Sequence, residues 1–351
     1  MHICGIQQVG IGVTNVEEAW KWYRKYFGVN IKIFDEKAPA SLMTKYTGNI
    51  VQERHAVYAI NMQGGGGFEI WQFTQRIPQD AAFELLLGDL GIFSVKIKTS
   101  KIESSFKQFN NDNELVIGNI SDLPQSKNRH FFVQDPYKNI FELVEFHEKF
   151  MKTDELTGGV LGVNIGVSNM DKSISFYNQI LGFNEIVYDK TGVFDDLKHL
   201  PGGTNSFRRV LLKHKETRKG FLSRIFGPSE IELFQVLDRQ PNTIYSNRYW
   251  GDKGFIHICF DIYGMHDLKK LCAETGYPFT VDSESSFKME KAAGQFAYIE
   301  DPDITLIEFV ETHKIPVLKK IGWYLNLKKL NPNKPLPDWM LKFLKYSAVK
   351  E

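Results

Sequence analysis

At 351 residues, 42% hydrophobic and 24% charged, the chain has room for two domains of ordinary size, each with its own core. A formal net charge of +1 supplies no global field toward nucleic acid or acidic partners, and no apolar run reaches the length of a bilayer span. The opening MHICGIQQVGIGV has neither a basic n-region nor a continuous apolar h-region, and Cys4, Cys259 and Cys272 share no metal-ligand spacing; a cytoplasmic protein with reduced thiols is expected.

The first element, GIQQVGIGV, is apolar and β-branched and reads as a buried strand. Thr14-Asn15 then supply a capping signal for a helix over VEEAWKWYRKYFG, with Ala19, Trp22, Tyr23 and Phe27 on one face and Gly28 as its terminator. NIKIFD, AVYAINM and GFEIWQF follow as strands and complete a βαβββ unit. The run Gly64–Gly67 is a flexible loop and not a phosphate cradle, because no helix follows it. A shorter copy comes next: strand GIFSVKIKT, helix KIESSFKQF, then strands ELVIGNI, HFFVQD and IFELVEF. After a polar linker near residues 147–159, the pattern begins again. It runs through strand GVLGVNIGV, helix MDKSISFYNQILGF, strand GFIHICFDI and helix MHDLKKLCAETG.

The second half therefore restates the first. QVGIGVTNVEEAWKWYRKYFG returns as GVNIGVSNMDKSISFYNQILG, FEIWQF as IELFQV, GIFSVKIK as GFIHICFD, and DPYKNIFELVE as DPDITLIEFVE. Four landmarks in one order mean a duplicated domain, and four βαβββ units in all.

These openings and DP endings resemble the vicinal oxygen chelate superfamily, which includes glyoxalase I, extradiol ring-cleaving dioxygenases, methylmalonyl-CoA epimerase, and the fosfomycin and bleomycin resistance proteins. The resemblance covers roughly residues 3–312. It implies an α+β fold in which units pair into cupped, incomplete barrels around a divalent metal (Zn, Ni, Mn, Mg or Fe(II)). Applied in chain order, it predicts one paired domain over 1–150, a second over 157–312, and a basic tail over 313–351. The layout is closest to the dioxygenase branch, where the C-terminal pair carries the metal.

In that family the ligands come from the first strand and a late strand of each unit in a pair. For the C-terminal pair these positions read Gly162, Glu232, His257 and Glu308; for the N-terminal pair they read Gln8, Glu69, Ser94 and Glu142. His257 interrupts an apolar strand with an imidazole, the commonest metal-binding side chain. Alone it reads equally as a core histidine bonded to a backbone carbonyl. Glu232 and Glu308 stand among apolar neighbours, where a charge is costly unless paired or metal-bound. With His257 they form the expected metal set, and Gln8, Glu69 and Glu142 a weaker second one. Gly162 departs from the family's histidine and cannot ligate; Asn164, two residues on, faces the same way. Tyr298 matches the place of an active-site tyrosine in the dioxygenases, or else is an aromatic core residue.

The resemblance implies three functions. The first is a glyoxalase-like lyase or isomerase acting on a small oxygen-chelating carbonyl, with Glu308 or Glu232 moving a proton. The second is an extradiol-type Fe(II) dioxygenase, to which Tyr298 would belong. The third is a metal-free protein that sequesters a small molecule. Arg208 and Arg209 could anchor a substrate anion, or be solvated. The tail carries nine lysines, with Ile315, Leu318, Ile321, Trp323, Tyr324, Leu325 and Leu327 among them, and PDWMLKFLKY reads as a short helix. Docking on its own domains or on a second subunit is the first expectation for it, and contact with an anionic membrane surface the second.

Overall fold

The computed structural model describes residues 1–112, 115–126, 128–284, 287–289, 292–318 and 323–349; the tail residue Ile321 lies outside them. The first unit comprises β1 (His2–Gly12), α1 (Val16–Phe27), β2 (Ile31–Pro39), β3 (Glu53–Ile60) and β4 (Gly67–Phe73). The second comprises β5 (Gly91–Thr99), α2 (Ile102–Asn111), β6 (Val116–Asp122), β7 (Arg129–Gln134) and β8 (Ile140–Glu145). The third holds β9 (Thr157–Gly166), α3 (Met170–Leu181), β10 (Glu185–Gly192), β11 (Phe207–Lys213), the short α4 (Ser223–Phe226) and β12 (Glu230–Val236). The fourth holds β13 (Gly254–Tyr263), α5 (Met265–Glu274), β14 (Val281–Asp282), β15 (Phe287–Met289), β16 (Ala292–Glu300) and β17 (Leu306–Leu318). β18 (Trp323–Asn326) and α6 (Asp338–Lys342) belong to the tail.

Local signals act where the sequence puts them. Asn15 caps α1 by accepting from the backbone of Glu17 and Glu18, and Gly28 ends it in the left-handed region. Asn169 and Gly182 do the same for α3. The buried face of α1 is rotated slightly from expectation: Val16, Ala19, Trp20, Tyr23, Tyr26 and Phe27 are inside, and Trp22 packs at the margin.

The pairing of units differs from expectation. One sheet runs β14-β16-β17-β13-β1-β4-β3-β2, with β15 and β18 attached, and joins the fourth unit to the first. The other runs β10-β11-β12-β9-β5-β8-β7-β6 and joins the third unit to the second. We call these cup A and cup B. Each sheet closes through an antiparallel seam of first strands, β1 with β13 and β5 with β9. The halves of the sequence are thus not the two sheets. A repeat shows which strands are alike but not which edges meet, because joining the first unit to the second or to the fourth satisfies the same pattern.

Lying on both seams, β1 and β9 are covered on two faces, which explains their unbroken apolar character. One apolar cluster draws residues from both sheets and from α1, α2, α3 and α5. It is crossed by matching polar bonds. Tyr23 of α1 donates to Asp135 of the β7–β8 turn at 2.6 Å, and Tyr177 of α3 donates to Asp301 of the β16–β17 turn at 3.0 Å. The two helix tyrosines and the two DP turns are therefore clasps that tie each cup to the other.

Two further clusters fill the cups. Cup B contains Phe93, Phe132, Leu197, Leu200, Phe207 and Phe234. Cup A contains Tyr58, Trp71, Phe73, Trp250, Ile256 and Tyr298, joined by Phe221, Leu222 and Ile225 around α4. The tail completes it through Leu327, Leu336 and Leu341. Backbone bonds from Leu336 to Phe221 and from Val349 to Asn30, and the Arg224–Asp338 ion pair, hold the tail in place. The tail thus packs against its own chain. Among the described residues no helix is long and apolar enough to cross a membrane.

Candidate metal centre

The four central strands of cup A stand in the order β4-β1-β13-β17. Each contributes one inward side chain: Glu69, Gln8, His257 and Glu308. His257 Nε2 lies 3.1 Å from Glu308 Oε2 and 3.5 Å from Glu69 Oε2, and Gln8 Nε2 donates to Glu308 Oε2 at 3.3 Å. Glu69, His257 and Glu308 form a group that could hold a metal ion.

A glycine makes the convergence possible. Gly10 is the register partner of both His257 and Glu69. A Cβ there would stand 2.4 Å from His257 Cε1 and 2.6 Å from its Nδ1. The imidazole lies in the space that this residue leaves empty.

The electrostatics are unbalanced. Burial, and then the Glu308 charge, push the Glu69 carboxyl up to about 7. Burial opposes ionisation of Glu308 as well, but His257, Cys259 and Tyr298 around it outweigh that, and its carboxyl falls below the usual range. Burial likewise opposes charge on His257, yet the two carboxylates raise it above an ordinary histidine. Gln8 Oε1 and His257 Nδ1 are buried without a hydrogen-bond partner, which is costly unless something else engages such atoms. Tyr298, the register partner of Glu308, meets the His257 ring edge-on at 5.4 Å. Trp250 lies parallel to that ring at 6.3 Å and packs against Trp71. Beside Trp250 is a cavity of about 420 Å³, also lined by Tyr46, Tyr249, Phe255, Ile256 and Leu306.

The expected sets are therefore regrouped. His257 and Glu308 meet Gln8 and Glu69, and not Glu232. Glu142 lies in cup B with Ser94, Asn164 and Glu232, and does not join Gln8 and Glu69. Glu232 is unsuited to the metal or proton-transfer role expected of it. Lys96 Nζ is 2.5 Å from Glu232 Oε2, Tyr188 donates to Oε1 at 2.5 Å, and Arg209 Nε also bonds Oε1. Gly162 bears no ligand, and Asn164 gives its amide to Ser94 and Glu142, both at 2.7 Å. Both arginines are paired within the chain. Arg208 pairs with Asp171 and Asp189 on the surface, and Arg209 is spent inside cup B on Glu232 and Asp196. Sequence reasoning missed Trp250, which sits in a connection with no strand pattern around it. It also missed Lys96, although a lysine inside GIFSVKIKT breaks an apolar strand as His257 does.

Residues 159–309 match the model of the Glyoxalase/Bleomycin resistance protein/Dioxygenase superfamily. That segment belongs to the superfamily. It takes in the third unit and most of the fourth, and so contains one partner from each cup. The likeness of fold extends further. A glyoxalase I point mutant from Zea mays superposes with a TM-score of 0.55 at 14% identity, over 88% of this chain and 92% of that one. Unmutated glyoxalase I from Zea mays gives 0.50 at 13%, over 88% and 92%. A candidate dioxygenase from Bacillus subtilis gives 0.56 at 13%, over 88% and 86%. At these identities the superpositions show a likeness of fold and nothing finer. No curated protein matches the chain in sequence.

Proposed function

We propose that this chain is a glyoxalase-like, metal-dependent lyase or isomerase that moves a proton on a small substrate with two neighbouring oxygens. One observation carries the proposal: Gln8, Glu69, His257 and Glu308 come from opposite ends of the sequence to one buried point. An amide oxygen, an imidazole and two carboxylates make a mixed O/N set suited to a hard or borderline divalent ion, Zn, Ni, Mn, Mg or Fe(II). The unpartnered Gln8 Oε1 and the excess of carboxylate over counter-charge fit such an ion. When bound, it would stabilise an oxyanion on the substrate as a Lewis acid.

The chain's own side chains divide the remaining work. Glu308 is engaged by Gln8, His257 and Tyr298, so it is the fixed carboxylate. Glu69 has the looser contact, keeps 12% of its side chain exposed, and takes up and returns the substrate proton. Tyr298 stays protonated, because burial pushes its hydroxyl well up, and it orients Glu308. Trp71 and Trp250 keep water from the reacting atoms. The aromatic walls of the neighbouring cavity suit a substrate with an apolar portion.

Metal analysis of the pure chain and of His257→Ala is the test, with proton–deuterium exchange on α-hydroxycarbonyls and thiohemiacetals as the activity readout. One ion per chain, lost in His257→Ala, is expected; unchanged metal content in that variant refutes the site. Tyr298 beside His257 and Glu308 favours the Fe(II) dioxygenase as second reading, although a single histidine falls short of the two that such a triad needs. Iron together with oxygen uptake on catechols would select it. Absence of any bound metal would select the sequestering protein.

A further inference from the structure

Cup B repeats cup A position by position, and the differences between the two are coupled. Where cup A has Gly10 opposite His257, cup B has Asn164 opposite Ser94. Where cup A has Gln8 opposite Cys259, cup B has Gly162 opposite Lys96. On the other side of the same strands, Gln8 faces Gly67 in cup A, and Gly162 faces Glu230 in cup B. At each of these places a large residue and a small one have exchanged strands.

We propose that cup B is a cation site whose resident cation is the Lys96 ammonium, so that the chain holds a divalent ion in cup A alone and exposes a second divalent site once that ammonium is removed. Lys96 is fully buried, as are Glu142 and Glu232. Its Nζ stands 2.5 Å from Glu232 Oε2, 2.9 Å from Glu230 Oε1 and 3.7 Å from Glu142 Oε2. The remaining carboxylate oxygens are spent as well. Glu142 Oε1 takes His130 Nδ1 at 2.7 Å, Glu142 Oε2 takes Asn164 at 2.7 Å, and Glu230 Oε2 takes Lys213 at 3.1 Å. Asp196 is shared by Arg209 at 2.6 Å and His130 at 3.2 Å. Four carboxylates, Glu142, Asp196, Glu230 and Glu232, thus face Lys96, Arg209, Lys213 and the doubly clamped His130. Cup A has no lysine among Gln8, Glu69, His257 and Glu308. Three carboxylates around one buried point are an oxygen set that suits a divalent ion, and here an ammonium on a neighbouring strand satisfies them.

The test is Mn²⁺ stoichiometry by electron paramagnetic resonance on the full chain. Lys96→Met should bind one more Mn²⁺ than the wild type and gain thermal stability from Mn²⁺ that the wild type does not gain. Lys96→Met combined with Glu232→Gln should lose the extra ion. The ion in cup A rests on the function proposed above; because the readout is a difference arising in cup B, the assignment of Lys96 as the cation there stands whether or not cup A holds metal. A folded Lys96→Met without the extra ion overturns the proposal. So does a Lys96→Met that stays unfolded with Mn²⁺ while the double variant folds without it. In the wild-type background, Glu142→Gln and Glu232→Gln should each leave the Mn²⁺ count unchanged; loss of an equivalent in either would show that cup B already carries metal, and overturns it too.

Discussion

Gly10→Ala is the sharpest perturbation of cup A, because it alters none of the four side chains that converge there. The added methyl would stand 2.4 Å from His257 Cε1 and 2.6 Å from Nδ1, whereas ordinary contact begins at about 3.4 Å. The imidazole must therefore retreat by roughly 1 Å, since β1 is paired to both β13 and β4 at this residue and cannot move instead. Overpacking of this kind costs about 1–3 kcal/mol of stability. Metal affinity should fall about 10- to 100-fold, the range seen when a ligand's support is disturbed, and a 1 Å displacement removes about 100-fold in turnover. Isothermal titration with Mn²⁺ and a urea melt measure the affinity and the stability, and the exchange assay measures the turnover. Asn164→Ala, the same position in cup B, should leave Mn²⁺ affinity unchanged and serves as control. A Gly10→Ala chain that binds Mn²⁺ as tightly as the wild type would show that His257 needs no such space, and that it does not ligate.

Metal binding should depend on pH with a definite sign. Glu69 is held protonated to about 7 by burial and by Glu308, and His257 is raised by its two carboxylates against its burial. An ion must displace these protons, so affinity should climb by about tenfold or more per pH unit as pH rises toward 7. The metal-free chain should show the opposite slope. Folded Glu69 holds its proton more tightly than the unfolded chain between about 4.5 and 7, so its contribution to stability is present at low pH and lost as pH rises through that window. Tyr177→Phe and Tyr23→Phe each remove a buried bond to a carboxylate and should cost about 1.5–3 kcal/mol in a urea melt; a loss under about 0.5 kcal/mol would mean the clasps are idle. Leu327→Ala should cost about 2–4 kcal/mol, since it empties a site in the cup A cluster. The intact chain should also stay in the supernatant with anionic liposomes, because Leu327, Leu336 and Leu341 of its tail are already buried in cup A.

The sequence made the fold readable because three independent signals agreed. Strand patterns, the paired Asn–Gly caps of α1 and α3, and the repeat all specify βαβββ units. Partner choice was not readable. The four ligand positions were found individually, but they were grouped by half, and the register that joins Gln8 to Cys259 and Gly10 to His257 leaves no trace in either strand alone. A signal for it did exist between the halves. His257 is bulky where Ser94 is small, and Gly10 is small where Asn164 is bulky. Two strands that exchange size in this way are touching, and the exchange couples the first unit to the fourth.

The same comparison explains why the halves stay bound although neither sheet is built from one half. Tyr177 belongs to the third unit, in cup B, yet it bonds Asp301 at the turn that starts β17 in cup A. Asp301 in turn accepts from the backbone of Asp303 and Thr305, which fixes where the strand begins, at Leu306, two residues before Glu308. The position of one carboxylate in the candidate centre is thereby set from the opposite sheet. If that linkage is real, Tyr177→Phe should weaken Mn²⁺ binding in cup A as well as lower stability, while Tyr23→Phe, whose partner Asp135 opens β8 of cup B, should lower stability alone. Equal effects of the two substitutions on Mn²⁺ affinity would show that the clasps hold the sheets together without placing the ligand.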